Sequence, residues 1–251
     1  MRTMMVIGIG AGDPEDLTLR AVKALKAADA FLVLDKGERA AEQTEARRRL
    51  LDVHREPGSY RLVVVADPER DRRAADYPAA VADWRSRRAE PYERFIADEL
   101  GDDECGAVLV WGDPALYDSA LGVLEEVRER GTVDFDVEVV PGVSSVSALL
   151  ARHRTGLNRV GRPVLITTGR RLAEGWPEGV DDVVVMLGSE PLFTGGLDPD
   201  TSVHWGAYVG TGDEILVAGR LGDVAERIAR LRAEARERKG WIMDVCLLRR
   251  N

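Results

Sequence analysis

Two turns in this chain gather glycine, aspartate and proline where a small ligand could meet bare backbone: Gly8-Ile9-Gly10-Ala11-Gly12-Asp13-Pro14 and Trp111-Gly112-Asp113-Pro114-Ala115-Leu116-Tyr117-Asp118. Each follows an apolar run, Met4-Met5-Val6-Ile7 in one case and Val108-Leu109-Val110-Trp111 in the other. Such runs read as buried strands. Strand, tight turn, helix is how an α/β protein presents main-chain amides at the carboxyl edge of its sheet. Glycine lets a ligand approach the backbone closely, and proline stiffens the turn. A third run, Ala30-Phe31-Leu32-Val33-Leu34, ends in Asp35, an acid placed to act on a ligand at the same edge.

The first turn has two chemical readings. Gly8-x-Gly10-x-Gly12 is similar to the dinucleotide fingerprint, with Asp35 as its ribose ligand, but the third glycine would fall at Asp13. Pro14, Glu15 and Asp16 open the next helix; carboxylates there repel pyrophosphate and take the helix N-terminus for themselves. A phosphate-poor, cationic ligand fits better. Asp113 reads as a turn-former, because its side chain can bond local amides.

The remaining chemistry-bearing residues are sparse. His54, His153 and His204 stand in unrelated contexts, and no Ser/His/Asp or Cys/His arrangement announces a covalent nucleophile. Cys105 and Cys246 are too few and too scattered for a disulfide framework or a zinc site. From Arg47 to Arg94 arginines crowd the chain, Arg70, Arg72, Arg73 and Arg88 among them, whereas lysine occurs only at positions 23, 26, 36 and 239. Arginine forks suit carboxylates held bidentately, so a polyanionic small substrate fits this segment; a solvated helix face is the plainer alternative. Trp111, Trp205 and Tyr208 could flank a flat ring or simply pack in the core.

Positioning these residues requires alternating strands and helices. Apolar runs predict strands over 4–9, 30–34, 61–65, 107–111 and 135–140, the last alternating like a half-exposed strand. Leu17–Lys26 has helical spacing, and 67–100 turns polar and helical with Tyr77, Val81, Trp84, Tyr92, Phe95 and Ile96 as anchors. Alternation of this kind implies a mostly parallel sheet covered on both faces. Residues 152–162 lack apolar periodicity and mark a boundary, dividing the chain into α/β domains 1–153 and 154–251. The second half predicts strands over 164–168, 183–187, 204–209, 214–218 and 241–248 and an amphipathic helix over Leu221–Arg238, hence a mixed sheet.

The 251 residues carry a formal net charge of −9, with 45% hydrophobic and 31% charged side chains. An acidic balance argues against a nucleic-acid coat. Apolar runs are strand-sized, far short of the ~20 residues that span a bilayer, and the N-terminal stretch lacks the features of a secretion signal. A cytoplasmic protein is the expectation.

The stretch Gly8 to Thr18, the second turn Gly112-Asp113-Pro114-Ala115-Leu116-Tyr117, the run Val139-Val140-Pro141-Gly142-Val143-Ser144-Ser145 and Tyr208-Val209-Gly210-Thr211 together resemble the tetrapyrrole methylases, in order and spacing, over nearly the whole chain. Leu34-Asp35-Lys36-Gly37, Ile166–Arg171, Trp205–Tyr208 and Trp241–Asp244 look like the branch that assembles the corrin ring. The resemblance implies S-adenosylmethionine folded into a trough between two α/β domains, S-adenosylhomocysteine as product, and a homodimer. It implies that Trp111, Gly112 and Asp113 meet the methionine end with Leu116 beside them. Ser144 and Ser145 would hydrogen-bond the cofactor, and Leu187 and Gly210 would pack near the adenosine. Ala11 takes the place of a proline common in the first turn, and Trp111 stands where many relatives have glycine.

The resemblance further implies C-methylation of precorrin-5 at C-1 with loss of a two-carbon acyl group as acetate. Asp35 is then the proton acceptor, and Arg170 and Arg171 clamp substrate carboxylates beside Tyr208. Within the family, another precorrin, uroporphyrinogen, a ribosomal nucleotide or diphthine remains an alternative substrate. Outside it stand a nucleotide-dependent oxidoreductase and a non-catalytic corrinoid carrier.

Overall fold

A computed structural model describes residues 1–35, 37, 41–69, 76–188 and 196–250. Lys36 and the arginines at 70, 72 and 73 lie outside the described residues.

The chain divides into two compact units, one of residues 1–10 and 14–143, the other of residues 11–13 and 144–251. In the first, β1 (Arg2–Gly8), β2 (Ala30–Asp35), β3 (Arg61–Ala66), β4 (Cys105–Val110) and β5 (Phe135–Val140) form one sheet in the order β3-β2-β4-β1-β5. Every pairing in it is parallel. β1 is interior and sandwiched: Met4 and Val6 join one core cluster with Tyr92, Phe95 and Leu124, while Met5 and Ile7 join another with Leu25, Phe31 and Leu51. Burial on both faces is why it reads as an unbroken apolar run. β5 has one neighbour, β1, so its alternation is that of an edge.

Among the described residues this sheet is covered by α1 (Leu19–Ala27), α2 (Ala41–His54), α3 (Tyr77–Arg94), which runs on into a wider helical turn over Phe95–Glu99, and α4 (Ala120–Arg130). Thr18 caps α1, its hydroxyl oxygen accepting the Ala21 N–H at 3.0 Å. This cap shortens the helix expected from Leu17. α4 stops at Gly131, whose φ of 65° provides the left-handed C-terminal turn.

The second unit carries α5 (Ser145–His153), β6 (Val164–Thr167), α6 (Gly169–Ala173), β7 (Asp182–Met186), β8 (Ser202–Ala207), β9 (Ile215–Arg220), α7 (Leu221–Lys239) and β10 (Asp244–Arg249). Its sheet order is β6-β7-β10-β8-β9. β6 and β7 run parallel and the other pairs antiparallel, so the sheet is mixed. Val224, Ile228 and Ala235 turn α7 onto this sheet, around the fully buried Trp205.

Boundaries in the second half also differ from the sequence expectation. α5 packs in the second unit, because its buried Leu149 and Val146 lie over β8 and β10, with Leu149 against Gly206. The division therefore precedes the helix, at 143/144 rather than 153/154. The last strand begins at Asp244, not Trp241: α7 ends at Gly240 with φ 73°, and residues 241–243 are a connector whose Met243 carbonyl accepts the Tyr208 N–H at 2.9 Å. Among the described residues no helix is long and apolar enough to cross a membrane.

Candidate functional site

Parallel pairing puts the ends of β1, β2, β4 and β5 on one edge of the first sheet. There three motif turns nest against each other. The Gly112 N–H donates to the Gly10 carbonyl at 2.7 Å, and the Gly10 N–H donates back at 3.4 Å. A Cβ on Gly8 would lie 2.6 Å from the Gly142 nitrogen, and one on Gly142 only 2.1 Å from the Gly112 oxygen. Glycine at 8 and 142 is therefore a steric requirement. Gly112 itself sits at φ 66°.

Asp113 fastens these turns. Its carboxylate accepts the Ala115 N–H at 2.8 Å through Oδ1 and the Gly142 N–H at 3.0 Å through Oδ2. The Thr18 hydroxyl that caps α1 also reaches the Pro141 carbonyl, at 3.4 Å. Leu116 follows, half-buried. Asp35 ends β2 on the same edge; its Oδ1 accepts the Gly37 N–H at 3.0 Å, and its backbone carbonyl accepts the Asp67 N–H at 2.8 Å. Thus Asp35, Trp111, Gly112, Asp113 and Leu116 gather at one sheet edge.

The second unit has an edge of its own. β10 runs antiparallel to both β7 and β8, so β6, β7 and β8 finish together. Leu187, just past β7, has φ 63° and a side chain left 57% exposed. A left-handed leucine costs about 1–2 kcal/mol, and here no burial offsets it; backbone strain of this kind clusters at ligand sites. Its carbonyl accepts the Gly169 N–H at 3.2 Å, which joins β7 to α6 and hence to Arg170 and Arg171. Both arginines are exposed, and Arg171 pairs with Glu174 at 2.9 Å.

Past β8, Gly210 turns with φ 82° and gives its N–H to Glu214 at 2.8 Å. Ala11–Asp13 packs onto this turn: a Cβ on Gly210 would lie 3.1 Å from the Asp13 nitrogen and 3.5 Å from the Ala11 carbonyl carbon. Arg152 ties the two, pairing with Glu214 at 3.1 Å and with Asp13 at 3.2 Å. Ser144 is the N-cap of α5, its oxygen accepting the Ser147 N–H at 3.1 Å, and Ser145 opens the helix. Ala11, Leu187, Gly210 and the start of α6 are thereby gathered in the second unit.

Two aromatic candidates have packing roles. Tyr208 is 1% exposed; its hydroxyl donates to the Trp241 carbonyl at 2.6 Å, and its ring meets Trp241 edge-on at 4.9 Å. With ring and hydroxyl both engaged, no face is left for a macrocycle. Trp205 is fully buried and donates its indole N–H to Asp244 at 3.1 Å. Trp111 differs: its indole Nε1 is buried without a hydrogen-bond partner, and the Arg47 guanidinium stands 5.9 Å from its ring centre. Arg47 was visible only as one of a crowd of arginines. The signal that singles it out is its spacing from Leu50 and Leu51, on the inner face of α2. Among the described residues no group of three His, Cys, Asp or Glu side chains could hold a metal ion.

A sequence profile of the tetrapyrrole (corrin/porphyrin) methylases matches residues 3–225. The chain belongs to this family. It is 45% identical to the precorrin-6A synthase [deacetylating] of a Sinorhizobium species, over 100% of this chain and 96% of that protein. Among solved structures it resembles the cobalamin-synthesis-related protein CobF of Corynebacterium diphtheriae, at 36% identity and a TM-score of 0.85, covering 99% and 98% of the two chains. The uroporphyrin-III C-methyltransferase of Thermus thermophilus, solved with S-adenosylhomocysteine, shares the fold at a TM-score of 0.58 and 24% identity, over 98% and 91% of the chains. The pair of α/β units, one parallel and one mixed, is the architecture of this methylase family.

Proposed function

We propose that this chain is an S-adenosylmethionine-dependent C-methyltransferase of cobalamin biosynthesis that methylates precorrin-5 at C-1 and releases acetate, giving precorrin-6A. The observation that carries the reading is the 45% identity, end to end, with a precorrin-6A synthase [deacetylating]. The proposal includes a homodimer, as the family resemblance implies, acting in the cytoplasm.

The residues suit such a cofactor. The strained, exposed Leu187 beside Gly188, where a Cβ would meet nothing within 4 Å, offers apolar surface and open backbone to an adenosine. The Gly112–Asp113 turn offers main chain to the methionine end, with Leu116 alongside. Ser144 and Ser145 supply hydroxyls, and Ala11 and Gly210 complete the contact set. When bound, S-adenosylmethionine supplies the activated methyl group; the protein's task is alignment and exclusion of water. Asp35, with one carboxylate oxygen held by Gly37, is fixed in orientation while its second oxygen takes the proton from the macrocycle. Arg170 and Arg171 meet substrate carboxylates.

Mass spectrometry of the product formed from precorrin-5 and S-adenosylmethionine tests this directly. Methyl gain with acetyl loss is expected; methyl gain alone would point to another precorrin reaction. Calorimetric titration should show binding of S-adenosylmethionine and none of NADH. The reverse result would move the chain to the oxidoreductase class.

A further inference from the structure

Arg47 stands on the inner face of α2 beside the buried Leu50 and Leu51. Its guanidinium donates to two backbone carbonyls, Leu109 at 3.0 Å and Gln43 at 3.1 Å. Among the described residues no carboxylate lies within ion-pair distance of it. Asp118 is near enough to favour its charge, but the carboxylate of Asp118 accepts the Ala120 N–H at 2.7 Å. Arg88, which opposes the charge, is itself paired with Asp67 at 2.9 Å. Burial pulls the Arg47 pKa down to about 10.

The guanidinium stands over the ring of Trp111, 5.9 Å from its centre, and the indole N–H of that ring is buried and without an acceptor. A half-buried charge lacking a carboxylate partner and a buried donor lacking an acceptor both carry a cost. One small anion would offset both at once. The planar fork of arginine favours a carboxylate. Trp111 leaves β4 at the carboxyl edge where β2, its neighbour in the sheet, ends in Asp35, the edge where substrate chemistry is placed.

We propose that Arg47 and Trp111 form a carboxylate-binding site on the first unit, occupied by an acid arm of the substrate or by the acetate released from it. The two possible occupants rest on the proposed reaction; the site itself rests on a guanidinium with no carboxylate partner and an indole N–H with no acceptor.

The test follows the Trp111 indole N–H resonance of the ¹⁵N-labelled protein, identified by its absence in Trp111→Phe. Sodium acetate is titrated against sodium chloride at equal ionic strength. Acetate should give a saturable shift that chloride does not, at least tenfold weaker in Arg47→Gln and also weakened in Arg47→Lys, which keeps the charge but not the fork. Calorimetry with Trp111→Phe should show acetate affinity reduced several-fold. A second arm compares a tetrapyrrole bearing acetate and propionate arms with its methyl esters. Response to the free acid and not to the ester assigns a substrate arm; response to acetate alone assigns the released product. The proposal is overturned if no carboxylate gives a saturable shift, or if Arg47→Lys and Arg47→Gln respond like the parent. Methylation measured on the same parent sample separates the readings: active enzyme without the acetate response sinks the carboxylate site alone, and acetate response without methylation sinks the methylase reading alone.

Discussion

The Asp113 carboxylate accepts the Gly142 backbone N–H at 3.0 Å, and through that bond the turn after β4 holds the turn after β5. The same carboxylate steadies its own turn at Ala115, 2.8 Å away. Asp113 is therefore a positioning residue for backbone that the cofactor would meet. Hydrogen bonds to a charged group contribute about 1.5–3 kcal/mol each. Asp113→Ala removes both bonds and should lower the thermal midpoint by roughly 6–24 °C for a chain of this size and weaken S-adenosylmethionine binding. An unchanged midpoint would show that the turns hold without it.

Steric contact among the glycines makes a sharper prediction. A Cβ on Gly142 falls 2.1 Å from the Gly112 oxygen, whereas one on Gly131 meets nothing within 4 Å despite φ 65°. Gly142→Ala must push backbone apart and should cost ~1–3 kcal/mol or more, with loss of cofactor binding. Gly131→Ala should cost about 1–2 kcal/mol and leave binding intact. Denaturant unfolding and calorimetry on both variants separate crowding from strain.

Leu187 offers a trade between stability and binding. Glycine at this position relieves the left-handed strain, worth about 1–2 kcal/mol, and removes an exposed apolar side chain. Leu187→Gly should raise the midpoint of the free protein and lower its affinity for S-adenosylmethionine. Equal affinity in the two proteins would remove Leu187 from the adenosine contact.

Asp35→Asn tests the proton acceptor. The amide can still accept the Gly37 N–H through its oxygen, so the turn is preserved while basicity is lost. A general base contributes about 10²–10⁴-fold, and product formation should slow by that order with little change in cofactor affinity. A parent-like rate would exclude Asp35 from the chemistry.

The second unit should be acid-sensitive through His204. Burial, then the charges of His153 and Arg249, hold this imidazole below its usual value of 6.5, and the two histidine rings meet at 5.3 Å. The unfolded chain thus takes the proton more readily than the folded one. Its contribution is complete above about pH 6.5 and is lost as pH falls below that value. His204→Gln should flatten the acid limb of a plot of thermal midpoint against pH; an identical limb would assign the sensitivity elsewhere.

Local pattern carried most of the secondary structure. The ten strands of the described residues were legible because each is an apolar or alternating run whose period reports which faces are covered. The glycine, aspartate and proline turns were legible because their residue types have few other uses. Asp113 as a turn-former and the half-exposed alternation of β5 were readable in the same way. Strand order, the assignment of α5 to the second unit and the nesting of Gly8, Gly112 and Gly142 were not, since they depend on pairings between residues far apart in the chain. Side-chain fate behaved likewise: Trp111, Trp205 and Tyr208 are equivalent as letters, yet packing satisfies the last two and leaves the indole N–H of Trp111 unmatched beside Arg47. Periodicity encodes what a segment must bury, and only the assembled units decide against which partner.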